Sequence, residues 1–379
     1  MDISDYRNEI DRLDQELVAA LDRRMRLAEK IAEYKKANGL KVVDPVRERA
    51  LLDQITDASA PDMAYYNRML FSAIMETSRD HQRNILGVEA PVMTEIRSAI
   101  ENGPRLFPDR ALVACQGVQG AYSQEACDRC FKMPKIMYVK NFRGVFKAIE
   151  SGLCEYGILP IENSTAGSVN QVYDLMSEYN FHIVKSVRLK VRHSLLVPPG
   201  TKKEDIREIF SHEQAIAQCD EYLKQFPDAK ITVMPNTALA AKLVADSGRT
   251  DCAALASRAN GENYGLVCLE DNIQDVDNNY TRFICITRDL RIYPGAERTS
   301  IMMVLDHRPG ALYQVLARFN AMGINLLKLE SRPLPEREFE FMFYFDIEEP
   351  VYSEEFIRMM GQLQQMSIEY KYLGSYLEV

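Results

Sequence analysis

Apolar residues recur at three- and four-residue steps from the start of the chain: Ile10, Leu13, Leu17, Leu21, Leu27 and Ile31, with no Gly or Pro before Gly39. That period is helical and predicts one helix over residues 3–38, with Ser4 as its N-cap. At 1.5 Å per residue such a rod is roughly 50 Å long. It cannot bury its apolar stripe within about ninety residues of its own chain, so a second copy is expected against it. Two shorter helices are expected near residues 45–58 and 61–86, with Pro45 and Pro61 suited to their first turns. Residues 89–109 lose the clean periodicity and gain Gly and Pro, which predicts a linker carrying one short helix.

From Ala111 the pattern changes to short apolar runs alternating with helical stretches: ALVACQG, IMYVKNF, YGILPIE, then HIVKSVRLKVRHSLLVP. This is an α/β texture. The run KVRHSLLVP is read as crossing into a second lobe, where EIFSH, ITVMP and CAALA are strands. GLVCLEDNIQDVDNNYTRFICIT then returns to the first lobe. Two lobes with a crossing hinge place a ligand cleft between them. From Thr299 the predicted order is βαββαβ, the ferredoxin-like arrangement. The expected architecture is therefore multi-domain: an all-α domain (1–88), the linker (89–109), a two-lobed α/β domain of the periplasmic-binding-protein type (110–290) and an α+β ferredoxin-like domain (298–379).

Composition narrows the function classes. With 379 residues, two to three cores are expected. The net charge of -9 argues against a nucleic-acid partner, which needs clustered Lys and Arg. No run approaches the roughly eighteen apolar residues of a membrane span. The N-terminus is acidic and amphipathic, unlike a signal peptide. A cytoplasmic protein with its eight cysteines reduced is expected. Cys127 and Cys130 form a lone C-x-x-C with no second ligand pair, and the five histidines are scattered, so no metal is expected.

In the helical part, Arg24 and Lys35 are eleven residues apart, about three turns, and share a face. Arg7 lies about 25 Å further along that helix. One helix cannot bring Arg7 and Arg24 to the same small molecule, whereas an intertwined dimer can. Ser78 and Gln82 are one turn apart on the third helix. With Asp44, Arg47 and Glu48 these residues resemble the helical class of chorismate mutase in type and order. The resemblance implies a Claisen rearrangement driven by positioning and preorganised hydrogen bonds, without a nucleophile. On that pattern Arg24 and the partner subunit's Arg7 grip the two carboxylates of chorismate. Lys35 and Gln82 donate to the ether oxygen, Glu48 and Asp44 hold the ring-hydroxyl side, and Arg47 and Ser78 line the site.

Further on, PIENSTAGSV (Pro160 to Val169), SHEQAIAQC (Ser211 to Cys219) and NYTRF (Asn279 to Phe283) follow in order, preceded by the glycine-rich QGVQGAYS (Gln116 to Ser123). Together they resemble prephenate dehydratase. The resemblance marks Thr281 as an oriented hydroxyl donor to the departing ring hydroxyl of prephenate. It implies that Asn163, Ser211 and Gln218 orient the substrate, with Glu162 close by. If residues 280–286 form a strand, Thr281 and Phe283 face one side and Arg282 the other, so Arg282 is read as an ion-pair partner. The turn at Gly117 and Gly120 is either an anion nest or a plain strand-to-helix turn. Where the family pattern closes SHEQA with a proline this chain has none, and His212 is read as structural.

DHRPGAL (Asp306 to Leu312) sets a strand end against a helix start, and ESRP (Glu330 to Pro333) follows on the next strand. Both resemble the ACT domains that bind L-phenylalanine. Gly310, Ala311 and Leu312 are expected to meet the effector's backbone, with Glu330 and Ser331 shaping the pocket. All the motifs together resemble bifunctional chorismate mutase/prephenate dehydratases with feedback by L-phenylalanine, assembled as homodimers or larger, and neither chemistry implies an organic cofactor. The rivals are a dehydratase preferring arogenate and a phenylalanine-sensing protein with decayed catalysis.

Overall fold

In the computed structural model, which describes residues 2–40, 42, 44–86, 89–334 and 340–379 apart from the side chains of Pro45 and Asn84, Asp2 rather than Ser4 starts the first helix. The Asp2 carboxylate accepts from the Ser4 and Asp5 amides at 2.7 and 3.0 Å, and Asp5 accepts in return from the Asp2 amide at 2.9 Å. This reciprocal cap satisfies three exposed donors, which the single hydroxyl of Ser4 could not do. Helix α1 (Ile3–Ala37) is followed by α2 (Pro45–Ala58), capped by Asp44, and α3 (Ala64–Ile85). Pro61 lies in the turn before α3 and not in its first turn.

Contacts divide the chain into Met1–Pro91 and Val92–Val379. In the first unit α1 buries only Ala28 and Ala32, while α3 turns Met75, Ser78 and Gln82 inward. The predicted apolar stripe is in the open: Leu17 is 60% exposed, and Ile10, Leu13, Leu27 and Ile31 are exposed with it.

The second unit opens within α4 (Pro91–Glu101), at Val92. Its Val92 and Ile96 are fully buried, so this part of the expected linker is a docked helix. Then come β1 (Leu112–Gln116), α5 (Tyr122–Cys130), β2 (Lys135–Val139), α6 (Phe142–Glu150), β3 (Tyr156–Asn163), β4 (Gly167–Ser168), α7 (Asn170–Glu178) and β5 (His182–Lys190). The chain crosses to a second lobe built from β6 (Ser194–Val197), β7 (Glu208–Ser211), α8 (Glu213–Ala217), α9 (Asp220–Leu223), β8 (Lys230–Val233), α10 (Thr237–Asp246), β9 (Cys252–Ala256), α11 (Arg258–Tyr264) and β10 (Val267–Glu270). It returns through β11 (Tyr280–Thr287). A βαββαβ module follows: β12 (Arg298–Val304), α12 (Ala311–Ala321), β13 (Asn325–Pro333), β14 (Phe341–Glu348), α13 (Glu354–Met366) and β15 (Glu369–Glu378). Among the described residues no helix is long and apolar enough to cross a membrane.

The second lobe is a sheet of order β10-β6-β9-β7-β8. The first lobe and the C-terminal module share one sheet, β13-β14-β12-β15-β5-β11-β3-β1-β2, because β15 runs parallel to β5 at Leu377 and Glu378. They also share a core. Met302, Val304, Met342 and Tyr344 of the module pack with Tyr173, Ile284 and Ile286 of the lobe, and the Tyr173 and Tyr344 rings meet edge-on at 5.0 Å. Beside this interface Arg282 is ion-paired with the fully buried Asp346 and with Glu378, and donates to the Tyr376 hydroxyl at 2.8 Å. Burial opposes its charge, but Tyr376 and Asp346 hold the guanidinium protonated well above its ordinary range. Strand alternation thus places Arg282 in the interface and Thr281 on the other face. Cys127 and Cys130 are buried on α5 in one core with Cys115 and Cys285. Among the described residues no three ligating side chains are grouped to hold a metal ion.

Candidate functional site

A cleft of about 390 Å³ lies between the two lobes, and Thr281 and Phe283 of β11 form part of its wall. Helices α5, α6 and α10 begin at it. Ala121 to Ser123, Asn141 with Phe142, and Asn236 to Ala238 all line it. Asn141 and Asn236 cap their helices by accepting from the Gly144 and Leu239 amides at 2.9 and 2.7 Å. Helix N-termini carry partial positive charge, so three of them aimed at one cleft favour an anion. Among the described residues Lys140 is the one lysine or arginine in the lining. Asn141, Asn236 and Lys140 were missed by sequence reasoning, although an Asn just ahead of a helical run was a readable signal.

Polar side chains form a closed chain of hydrogen bonds at the cleft's base. Asn163 Nδ2 donates to Thr281 Oγ1 and to Asn279 Oδ1, each at 2.9 Å. Asn163 Oδ1 accepts from the Thr165 hydroxyl at 2.7 Å and from the Thr165 and Ala166 amides at 3.0 and 2.9 Å. Gln218 Nε2 donates to Thr165 Oγ1 at 2.9 Å. Its Oε1 accepts from Asn279 Nδ2 at 2.9 Å and lies 3.0 Å from His193 Nε2. With the amide oriented by Asn279 and Thr165, His193 Nε2 carries the proton. Burial lowers the His193 pKa, with the Gln218 contact opposing, so the imidazole is neutral near pH 7. The network fixes the role open to Thr281. Its oxygen already accepts from Asn163, and among the described residues no acceptor takes its proton, so the hydroxyl can donate into the cleft. Thr165, Asn279 and His193 belong to the network and were not singled out from the sequence, because they lie outside regular elements or on the crossing segment.

Several expected residues stand elsewhere. Ser211 is fully buried at the end of β7, where its hydroxyl donates to the Leu255 carbonyl at 2.7 Å, so it is not brought into the cleft. Glu162 points the opposite way from Asn163 and pairs with Lys328 of β13 at 2.7 Å. His212 lines the cleft and caps α8, with its Nδ1 accepting from the Gln214 amide at 3.2 Å. The Gly117 amide donates to the Val139 carbonyl and the Gly120 amide to Gln124 Oε1, so neither is available to an anion. Gly120 has φ +83°, and a Cβ there would meet Asn260 Oδ1 at 2.1 Å. The turn is a contact between lobes: Asn260 Nδ2 donates to the Gly120 carbonyl at 3.1 Å.

In the helical unit Arg24, Ala28 and Ala32 form one stripe of α1, facing the buried Ser78 and Gln82 of α3. Among the described residues Arg24 Nη1 and Gln82 Oε1 are buried without hydrogen-bond partners, and burial lowers the Arg24 pKa. Buried polar atoms of this kind call for a partner. Lys35 Nζ donates to the Val42 carbonyl at 2.6 Å. Asp44 caps α2 by accepting from the Arg47 amide at 3.0 Å, and Glu48 pairs with Arg79 at 2.6 Å. Arg7 is exposed near the start of α1.

In the C-terminal module a cavity of about 360 Å³ is lined by residues 305–309 with Ala311, Leu312, Phe341 and Phe343. Gly310, at φ 84°, stands at the start of α12 beside it. Ser331 pairs across the sheet with Phe343 and so shares the cavity's face. Glu330 takes the opposite face, where its carboxylate accepts from the Ser168 hydroxyl at 2.5 Å. It is therefore not part of that cavity's wall.

Two family models match the chain: "Chorismate mutase type II" over residues 6–83 and "Prephenate dehydratase" over residues 113–291. A bifunctional chorismate mutase/prephenate dehydratase of Enterobacter agglomerans is 32% identical over 378 residues, 98% of this chain and 94% of the relative. An arogenate dehydratase/prephenate dehydratase of Arabidopsis thaliana is 37% identical over 294 residues, 74% of this chain and 75% of the relative. The solved prephenate dehydratase of Arthrobacter aurescens in complex with L-Phe superposes with a TM-score of 0.64 at 25% identity, covering 70% of this chain and 90% of that one. With matched models for both enzymes and a bifunctional relative aligned along nearly its full length, the chain belongs to the bifunctional chorismate mutase/prephenate dehydratase family.

Proposed function

We propose that the chain converts chorismate to prephenate in its helical unit and prephenate to phenylpyruvate in the interlobe cleft. The observation that carries the second step is the Asn163–Thr281 bond, which leaves the Thr281 hydroxyl proton free within the cleft. Prephenate enters as a dianion, held by the helix N-termini and Lys140. The ring carboxylate leaves as CO2, and its bonding pair flows into the ring as aromaticity forms. The C4 hydroxyl departs with the C–O bonding pair and takes up a proton from solvent to leave as water. Thr281 donates to that oxygen as charge develops on it, and the Asn163, Asn279 and Gln218 amides hold the donor in place.

For the first step, Arg24 and the partner subunit's Arg7 bind the carboxylates, and Lys35 and Gln82 donate to the ether oxygen. Glu48 and Asp44 hold the ring-hydroxyl side, with Arg47 and Ser78 lining the site. The orphaned Arg24 and Gln82 atoms support this, and the exposed stripe Ile10–Ile31 supports a dimer, since a lone helix face of this kind is unstable in water. L-Phenylalanine is the effector of the C-terminal, ACT-like module, with Gly310, Ala311, Leu312 and Ser331 at its cavity. The test is separation of the two activities. Thr281→Val should slow phenylpyruvate formation from prephenate by about 10²- to 10³-fold while chorismate is still consumed, and Lys35→Ala should do the reverse. Loss of both activities in one folded variant would contradict two sites. Assay of arogenate beside prephenate decides which the cleft prefers.

A further inference from the structure

Asn163 works on one side of a hairpin whose other side is held by the C-terminal module. Strands β3 and β4 pair Glu162 with Ser168 and Asn163 with Gly167. Neighbours on a strand face opposite ways, so Asn163 reaches Thr281 while Glu162 faces the module. There, Lys328 Nζ donates to Glu162 Oε1 at 2.7 Å and to Ser168 Oγ at 2.8 Å. Ser168 Oγ donates on to Glu330 Oε2, which lies 3.8 Å from Lys328 Nζ. The Lys328 side chain is only 12% exposed. One cation therefore sits between two carboxylates on different strands, and charges so sheltered are weakly screened. The next polar contact along β13 repeats the grip: Arg332 takes Asp174 of α7 at 2.9 and 3.1 Å.

We propose that Lys328 is a positioning residue for the dehydration, setting the hairpin where Asn163 meets Thr281 and Thr165 meets Gln218. Without it Glu162 and Glu330 face each other with no cation between them, and their repulsion pushes the hairpin off the module. The hairpin is short and paired, so a shift at Glu162 moves Asn163 with it. A displacement of about 1 Å at a positioning group costs on the order of 10²-fold in rate. Any motion of β13 acts on the cleft through the same contact, which gives the module a physical hold on turnover. The inference rests on the dehydratase reading of the cleft.

The test compares Lys328→Met, Glu162→Gln, the double variant and Lys328→Arg in the full chain, with prephenate as substrate and no effector. The expected result is a kcat for Lys328→Met lower by roughly 10- to 100-fold with KM little changed. The double variant should be no slower than Lys328→Met, because removing the Glu162 charge relieves the repulsion that the lost cation leaves behind. Lys328→Arg should recover part of the rate, and chorismate consumption should be unchanged in all four. Parent-like kcat in Lys328→Met, or independent multiplying effects in the double variant, overturns the proposal. So does a rate loss matched by a loss of folded protein in a urea titration. Should Lys328→Met fail to fold, Lys328→Gln, which keeps a polar head but no charge, decides: its kcat must fall with KM unchanged. If the parent chain itself does not turn over prephenate, the reading of the cleft falls and this inference with it; parent turnover with unaffected variants removes only the role of Lys328.

Discussion

Replacing Thr281 by Val tests the hydroxyl with little change of shape. The side chain is half-buried on the cleft wall, and its oxygen accepts one hydrogen bond, from Asn163 Nδ2 at 2.9 Å. That amide keeps Asn279 Oδ1 at 2.9 Å as a second acceptor, so the cost to stability is about 1 kcal/mol. The cost to chemistry is larger. Removing one preorganised donor aimed at developing charge typically lowers kcat by about 10²- to 10³-fold, roughly 3–4 kcal/mol of barrier. KM should change little, since the helix N-termini and Lys140 still hold the carboxylates. Thr281→Ser keeps the donor but loses the methyl that restricts χ1, and should fall between Val and the parent. The assay is phenylpyruvate formation from prephenate at saturation, with a urea titration of each variant. A Thr281→Val kcat within about threefold of the parent, under 1 kcal/mol, would refute the assignment.

The interface between the first lobe and the C-terminal module should be costly to break. Asp346→Ala leaves the buried Arg282 with only the Glu378 carboxylate to pair with and should destabilise the second unit by roughly 3 kcal/mol, the low end for a broken buried pair, read from denaturant midpoints. In the helical unit, Leu17→Glu puts charge on the exposed stripe and should abolish mutase turnover by preventing pairing, while prephenate dehydration continues; unchanged mutase kinetics would remove the dimer argument. Burial lowers the His193 pKa below the ordinary 6.5, so the unfolded chain binds a proton that the folded chain does not. Stability from this group is present above about pH 6.5 and falls as pH drops below it, by up to about 1.4 kcal/mol per pH unit. His193→Gln should flatten that fall between pH 7 and 5; an unchanged slope would mean the imidazole protonates freely in place.

The order of elements was readable because periodicity survives where packing is simple: a 35-residue helix, short buried strands, and a βαββαβ run. The site was readable only in part. Strand parity says that Glu162 and Asn163 face opposite ways, and likewise Glu330 and Ser331, but not which of each pair faces a cavity. That depends on where the C-terminal module docks, a matter of long-range packing through Tyr173, Met302 and Tyr344. Ser211 failed for a similar reason. Being at a strand end near Gln218 did not reveal that its hydroxyl satisfies the Leu255 carbonyl inside the lobe. Thr165, Asn279 and His193 sit where no period exists to read, yet they hold Gln218 and Asn163 in register. The helix caps differ again. Asp2 outcompeted Ser4 because a carboxylate can cap two amides, a preference that local sequence does carry.

The most direct test of two consecutive reactions on one chain is a time course of purified protein with chorismate alone, following chorismate loss and phenylpyruvate formation with and without L-phenylalanine. The account predicts conversion through to phenylpyruvate, with prephenate as the transient species and L-phenylalanine suppressing the second step. Chorismate left unconsumed, or prephenate accumulating with no phenylpyruvate formed, would contradict it.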